Sequence, residues 1–299
     1  MKKKYGSDAI MVSRKYAKRS PTGELWHRLK GNKGAVISMA VIVLLVLITL
    51  YSTFFIDYEA KVTGYNMADR FKPPSAQFPF GTDDLGRDVF SRTMYGTRYS
   101  LIIGVGAIAI SVILGVTIGC ISGFYGGRID DLLMRVCDVL ASIPAILLGM
   151  CIMAVMGQSL VNLLIAVGVP GIPTFARTAR ASVMTVRGQE FVEAAKAIKM
   201  SDIRIIFTQV LPNGLSPIIV TITTRIGSAI NEGAALSFLG FGIPIPTPEW
   251  GALISAGRSY MTRAPWMTII PGIFILGTVL SFNLLGDGLR DALDPKLKK

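Results

Sequence analysis

An uninterrupted run of 22 uncharged residues, 35–56, constrains the fold of this chain most strongly. As an α-helix rising about 1.5 Å per residue, this run is long enough to cross the roughly 30 Å hydrocarbon layer of a membrane. Hydrophobic residues make up 51% of the 299 residues and charged residues 17%, whereas soluble domains carry about 25% charged residues. The sequence therefore predicts an all-α integral membrane protein.

The other charged residues divide the chain into further apolar stretches that are long enough to span. The uncharged stretch 139–176 is too long for one crossing, and Gly157-Gln158-Ser159 is its predicted reversal. Six transmembrane helices are predicted, at 35–56, 99–124, 139–157, 158–176, 215–240 and 265–286.

The distribution of Lys and Arg predicts the orientation. Ten of the 31 basic residues lie in residues 1–34, and such segments stay on the cytoplasmic side. This charged segment is too long for a cleavable signal peptide, so the first span is expected to be a permanent anchor. The predicted organisation is a cytoplasmic tail 1–34, a first helix 35–56, an outer loop 57–98, a five-helix core 99–290 that includes the cytoplasmic segment 177–213, and a cytoplasmic C-terminal tail 291–299.

Residue usage argues against most enzymes. The single histidine, His27, lies in the polar N-terminal tail, which argues against both a Ser-His-Asp triad and a His-rich metal site. Cys120, Cys137 and Cys151 have no metal or redox spacing and are expected to be small buried side chains. No phosphate-binding loop is present, so no catalytic, metal or cofactor site is predicted, and any ATP must be bound by another chain. The net charge of +12 is attributed to membrane anchoring rather than to nucleic acid.

The cytoplasmic segment 185–213 carries the strongest functional pattern. Apolar residues at helical spacing predict one short amphipathic helix, Ser201 with Asp202 predicts the N-cap of a second, and Pro212 is expected to end it. Such helices can rest on lipid headgroups, but small alanines favour a close approach to a protein. The residues of the predicted apolar face are Phe191, Ala194, Ala195 and Ile198.

The sequence Glu193-Ala194-Ala195, followed by Ile205 and Leu211-Pro212, resembles the EAA loop of bacterial ABC-importer permeases. In that family this short helix docks into the ATP-hydrolysing subunit. The resemblance implies a coupling surface formed by Glu193, Ala194, Ala195, Ile198, Lys199 and Pro212. The family usually has glycine at the position of Lys199; a lysine with the positive φ that suits this turn would cost about 1–2 kcal/mol.

Four further stretches resemble the dipeptide, oligopeptide and nickel-chelate branch of these permeases, in particular the second of its two paired membrane subunits. They are 80–93, 123–144, 232–251 and 284–295. The resemblance implies the type I importer fold, a homologous permease as partner, two ATPase subunits and an extracytoplasmic solute-binding protein. It also implies peptides as the transported substrate, with a nickel or other metal chelate as the alternative.

The outer loop 57–98 contains an acidic cluster whose arginine argues against a calcium site. A hydrogen-bonded turn that caps a helix near Asp88 is predicted, and a binding-protein contact is compatible with it.

The prolines of 241–250 exclude regular helix there. Trp250 and Trp266 are expected at the depth of the lipid headgroups, and the alternative for this segment is a gate over the pathway. The candidate binding-protein contacts are Asp83, Asp84, Arg87, Asp88 and Trp250.

Arg225 and Glu232 are the ionisable residues predicted within spans. Arg225 lies about 15 Å from the cytoplasmic start of its span, where facing lipid would cost at least about 2.5–3.5 kcal/mol. It should face protein or water, either as a structural partner of another span or in the substrate pathway as a site for a peptide carboxylate. Glu232 lies seven residues further on, beyond the spacing at which side chains normally meet, so a direct pair is not expected.

Two other classes of protein compete with the importer. An ion-coupled secondary transporter or channel fits six spans, but it usually needs more ionisable residues at the midplane. An intramembrane enzyme lacks its histidine or acidic pair. Co-purifying ATPase subunits would favour the importer, and uptake driven by an ion gradient through this chain alone would favour the secondary transporter.

Overall fold

The computed structural model describes residues 21–293. The first 20 residues of the predicted basic tail and residues 294–299 of the C-terminal tail lie outside this range. Within it the chain is helical, apart from loops and an isolated bridge between Thr82 and Asp88. The helices are α1 Pro21–Gly31, α2 Lys33–Phe55, α3 Val89–Tyr125, α4 Gly127–Ser142, α5 Ala145–Met156, α6 Leu160–Gly168, α7 Ile172–Val186, α8 Glu190–Ala197, α9 Asp202–Asn213, α10 Leu215–Leu236, α11 Trp250–Gly257 and α12 Trp266–Leu293.

The spans agree with the prediction of an all-α membrane protein. In residues 21–293, four helical segments are long and apolar enough to cross a membrane: α2, α3, the combined α6 and α7 (Leu160–Val186), and α12. The pairs α4 with α5 and α9 with α10 are bent by 88° and 70°, and each would add one crossing if the pair spans together. The described residues therefore contain four to six candidate spans.

The third predicted span, 139–157, is wrong as a continuous helix. Ile143 is extended, with φ −93° and ψ 128°, because a residue before proline is driven out of the helical region and Pro144 follows it. The remaining helix α5 has 12 residues, about 18 Å. The predicted reversal is confirmed: Gly157 has a φ of 80°, and the Ser159 hydroxyl accepts a hydrogen bond from Asn162 N at 3.1 Å at the start of α6.

Helices α3 and α7 pack against each other over a row of small residues. Ser111, Gly115, Gly119 and Gly123 recur every fourth residue on one side of α3. A Cβ at Gly119 would collide with the carbonyl oxygen of Ala176 on α7. This close backbone approach is the packing that small residues permit between membrane helices.

The central hydrophobic core lies where α3 meets α6, α7 and α10. Its buried members include Ile103, Leu163, Phe175 and Leu236. Helix α2 packs beside α12, where Ala35 approaches Gly288. Cys120 and Cys137 are buried as predicted, but Cys151 is exposed on α5, since this short helix buries only part of its surface.

Candidate functional site

The segment α8–α9 is fixed to the membrane helices by its own apolar core. Val192 is 0% exposed and Ala195 is 6% exposed. They pack in one cluster with Val183 of α7 and Cys120 of α3, which lie towards the C-terminal ends of those helices. Helix α8 is therefore packed against both α3 and α7.

The opposite side of this segment is exposed although much of it is apolar. Ile198 is 74% exposed and Ile203 is 69% exposed, and Glu193, Ala194, Lys199 and Pro212 are exposed beside them. Large uncovered apolar patches mark interaction sites. We call the following residues the coupling surface: Phe191, Glu193, Ala194, Ile198, Lys199, Ile203, Phe207 and Pro212.

This geometry corrects the predicted docking face at Ala195. Ala195 belongs to the chain's own core, because α8 turns Val192 and Ala195 inward and leaves Phe191 and Ala194 outward. The sequence interpretation also missed Ile203 and Phe207. Their i, i+4 spacing in α9 is the signal that could have revealed them.

Lys199 adopts the left-handed backbone conformation that was expected at this turn, where the family that the sequence resembles usually has glycine. Its φ is 56°. Its N–H donates to Lys196 O at 2.9 Å, and Met200 N donates to Ala195 O at 3.1 Å, which are the bonds that close a helix C-terminus. The tight turn between α8 and α9 is thus formed without glycine.

Ser201 is the N-cap residue of α9, as predicted, but its side chain makes no capping hydrogen bond. The prediction that Pro212 ends this helix is off by one residue. Pro212 lies in the last turn of α9, which ends at Asn213, and Gly214 separates α9 from α10.

The outer loop forms the predicted turn. Asp83 is 4% exposed and accepts hydrogen bonds from Leu85 N, Arg87 N and Arg87 Nε at 2.9, 2.9 and 2.6 Å. The Asp88 carboxylate accepts from Phe90 N and Ser91 N and so caps α3. Of the acidic residues at the centre of this turn, Asp84 is the more accessible, with 26% of its side chain exposed.

Trp250 is not on the outer surface. It is 0% exposed, and its Nε1 donates to Thr93 O at 3.0 Å, so it does not form the predicted partner contact or headgroup anchor in this conformation. Trp266 Nε1 donates to Thr82 O at 3.0 Å and fastens α12 to the outer turn. As predicted, residues 242–249 are not helical, and the tryptophans serve the packing of this outer layer.

Glu249 is a buried acidic residue that the sequence interpretation did not single out. It is 1% exposed and caps α11 by accepting from Gly251 N and Ala252 N at 2.9 and 3.0 Å. Burial raises its pKa above the usual glutamate range, and these N–H donors and Ser100 oppose that rise. Its contacts connect α11 to α3, so its role is structural.

Arg225 and Glu232 form a pair that the sequence did not predict. Arg225 Nη2 lies 3.6 Å from Glu232 Oε1. The Cα–Cβ bonds of a helix tilt towards its N-terminus, so the Glu232 side chain leans back towards Arg225, and the long arginine side chain spans the remaining distance. The pair lies on one face of α10.

That face of α10 is a polar stripe within an apolar helix. Thr221, Thr224, Ser228 and Asn231 recur at spacings of three or four residues around the charged pair. All are at least partly exposed. Since a charged stripe facing lipid is costly, this face of α10 is suited to a water-filled pathway or a partner subunit.

Two ion pairs connect α4 to α7. Arg180 Nε and Nη2 donate to the two oxygens of Asp130, both at 2.6 Å. Further along, Arg177 Nη2 donates to Asp138 Oδ1 at 2.8 Å. Within residues 21–293, no three His, Cys, Asp or Glu side chains lie together as metal ligands.

The described residues thus form a helical membrane bundle with a polar stripe along α10 and with an exposed, largely apolar surface on the segment α8–α9, which is fixed to the ends of α3 and α7. Residues 115–299 match the model of the family described as binding-protein-dependent transport system inner membrane component. Residues 20–74 match the N-terminal TM domain of oligopeptide transport permease C. The chain belongs to this family of inner-membrane transport components.

Curated relatives match the chain over nearly its whole length. The dipeptide transport system permease protein DppC of Alkalihalophilus pseudofirmus is 45% identical over 95% of this chain and 92% of its own length. The glutathione transport system permease protein GsiD of Pectobacterium atrosepticum is 41% identical over 97% and 96%. The di/tripeptide transport system permease protein DppC of Pseudomonas aeruginosa is 40% identical over 93% of each chain.

Among solved structures, the inward-facing MetNI methionine ABC transporter is similar in fold. The match has a TM-score of 0.55 at 15% identity and covers 68% of this chain and 97% of the other. The type I ABC importer permease fold expected from the resemblance is thereby confirmed.

Proposed function

We propose that this chain is one of two paired membrane subunits of an ATP-driven importer for dipeptides or oligopeptides. The observation that carries the proposal is the coupling surface, an exposed apolar patch on a segment whose other side is packed onto α3 and α7. The names of the 40–45% identical relatives support peptides as the substrate class.

In this mechanism the chain does no covalent chemistry and holds no cofactor. Two ATPase subunits bind and hydrolyse ATP, and one of them receives the coupling surface of this chain. Closure of the ATPase pair moves α8, and the shared core with Val183 and Cys120 passes the movement to the spans. A homologous permease completes the pathway between the two subunits.

The outer face receives substrate from a solute-binding protein in this proposal. Asp84 and Asp88 remain candidate contacts because they are partly exposed, whereas Asp83 and Arg87 hold the turn in shape. Both termini and the turn at Lys199 are cytoplasmic, as the Lys and Arg distribution indicates. Arg225 and Glu232 line the pathway.

The test of this function uses two neighbouring alanines of α8. Ala194→Trp adds bulk to the exposed coupling surface and should weaken co-purification of the ATPases and peptide uptake, while the amount of membrane-inserted chain stays normal. Ala195→Trp instead overfills the chain's own core, at a cost of about 1–3 kcal/mol, and should lower its thermal stability. Normal co-purification and uptake with Ala194→Trp would contradict the coupling surface.

A further inference from the structure

The Arg225–Glu232 pair is poorly satisfied for two charges in a membrane helix. Its closest contact, 3.6 Å, is longer than a hydrogen bond. Arg225 Nε is buried without a partner, and neither side chain makes a hydrogen bond to any residue of 21–293. The Nη N–H donors of Arg225 and the carboxylate oxygens of Glu232 are therefore free to bind something else.

The Asp130–Arg180 pair of the same chain shows how a structural ion pair is built here. It is bidentate, with both bonds at 2.6 Å, and Ser122 also donates to Asp130. Such fork-like geometry satisfies both partners. By comparison, Arg225 and Glu232 neutralise each other without being held together, as expected of groups that exchange partners.

The surroundings of the pair suit a small polar ligand. About a quarter of each side chain is exposed, 26% for Arg225 and 23% for Glu232. Ser228 lies between them on the same face of α10, and Thr221 and Asn231 extend the polar surface towards either end. Hydroxyl and amide groups there can bind a peptide backbone.

We propose that Arg225 and Glu232 bind the two ends of a short peptide, Arg225 its terminal carboxylate and Glu232 its terminal ammonium. This rests on the proposed function as a peptide importer and names what the pathway recognises. A zwitterion replaces each partner of the resting pair by a group of the same charge. The exchange leaves no unpaired charge in the membrane, which would otherwise be strongly destabilising.

The spacing of the two residues favours short peptides. The charged groups meet at 3.6 Å in the resting pair, but the two residues lie seven positions apart on the helix, about 10 Å at a rise of about 1.5 Å per residue. Side chains that part to admit a ligand can therefore hold groups up to roughly that distance apart. An extended peptide spans at most about 3.3–3.6 Å per residue, so two or three residues bring both termini within reach of the two side chains. A longer peptide must leave one end unbound or fold back.

Direct binding to the assembled transporter tests this assignment without selection by the binding protein. The complex of both permeases and the ATPases is purified, and its melting temperature is followed during titration with dialanine, N-acetyl-dialanine or dialanine amide. A ligand of the folded state raises the melting temperature in a concentration-dependent way. We expect dialanine to do so, with half-maximal shift at a concentration roughly ten-fold or more below that of either capped peptide, because each cap removes a charge-assisted hydrogen bond.

Variants assign the two ends. In the Arg225→Gln variant, dialanine should no longer bind at lower concentration than dialanine amide. In the Glu232→Gln variant, dialanine should no longer bind at lower concentration than N-acetyl-dialanine. Arg225→Lys should keep part of the preference for dialanine over dialanine amide. Arg177→Gln, which removes an exposed arginine elsewhere, is the matched control and should leave all three titrations unchanged.

The double variant Arg225→Gln, Glu232→Gln separates this role from a structural one, because it leaves no unpaired charge. It should assemble in normal amount and show no preference among the three peptides. Equal titrations of free and capped peptides in the unmodified complex, no shift with dialanine, or loss of assembly in the double variant would overturn the inference. Failure of ATPase co-purification and of all peptide uptake would instead overturn the proposed function.

Discussion

Ala195, in the last turn of α8, and Ile198, the residue that follows this helix, lie three positions apart but differ sharply in exposure. Ala195 is 6% exposed and Ile198 is 74% exposed. The chain turns back at Lys199, and Met200 N bonds to Ala195 O, so Ala195 is covered while Ile198 is left outside. The end of α8 and the residue that follows it therefore contribute both to the core of this chain and to its exposed apolar surface.

A charge placed at Ile198 should separate these two roles. Ile198→Asp puts a carboxylate into the coupling surface, where docking would desolvate it, so co-purification of the ATPases should fall at least roughly ten-fold while the melting temperature of the isolated chain is unchanged. Ile245→Asp is the matched control, because Ile245 is 84% exposed in the loop 242–249 that precedes α11. Equal co-purification with both variants would contradict the assignment of the coupling surface.

Lys199→Gly should stabilise the chain. Glycine relieves the left-handed strain of about 1–2 kcal/mol, but it also makes the unfolded chain more flexible, which offsets part of the gain. We therefore expect the free energy of unfolding of the purified chain to rise by up to about 1 kcal/mol, measured by thermal unfolding. Lys196→Gly, inside α8, is the comparison and should cost about 1 kcal/mol. A loss of stability with Lys199→Gly would show that the lysine side chain contributes more than the turn costs.

The two ion pairs between α4 and α7 should differ in energy. Asp130→Asn breaks a bidentate pair in which the Asp130 side chain is 13% exposed, so we expect a loss of about 1–3 kcal/mol. Asp138→Asn breaks a pair whose side chains are 52% and 58% exposed, and the expected loss is below about 1 kcal/mol. Thermal unfolding of the two variants side by side measures the difference, and equal losses would show that the bidentate geometry adds nothing.

The membrane orientation can be read from single cysteines. With the three native cysteines replaced by serine, Ala76→Cys in the exposed outer loop should react with a membrane-impermeant thiol reagent on intact cells. Ser201→Cys, exposed beside the coupling surface, should react only after permeabilisation, because the Lys and Arg distribution places it inside. Labelling of position 201 on intact cells would reverse the topology.

The parts of the fold that follow from local chemistry were predictable. The charge-free run 35–56 gave the position of α2 to within a few residues, and the reversal at Gly157 follows from a glycine that takes a positive φ. The turn around Asp83 was predictable because its carboxylate bonds to neighbours within the same loop. In each case the residues that decide the structure are adjacent in sequence.

The remaining features depend on residues far apart in the chain. Helical spacing placed Ala195 on a docking face, but its burial is decided by α3 and α7. Trp250 was placed at the membrane interface because tryptophan favours that depth, whereas its hydrogen bond to Thr93 O and its packing bury it completely. The Arg225–Glu232 pair was not predicted because side chains seven positions apart on a helix do not normally meet. Here the two long side chains lean along the helix and come within reach of each other.

Uptake of a radiolabelled dipeptide into proteoliposomes is the most direct test of the importer mechanism. The vesicles contain this chain, its partner permease and the ATPases, with loaded binding protein added outside and ATP inside. Uptake should require ATP and the binding protein together, should persist without any ion gradient, and should be lost with Ala194→Trp in this chain. Uptake that is driven by a proton or sodium gradient and is indifferent to ATP and to Ala194→Trp would contradict the importer mechanism.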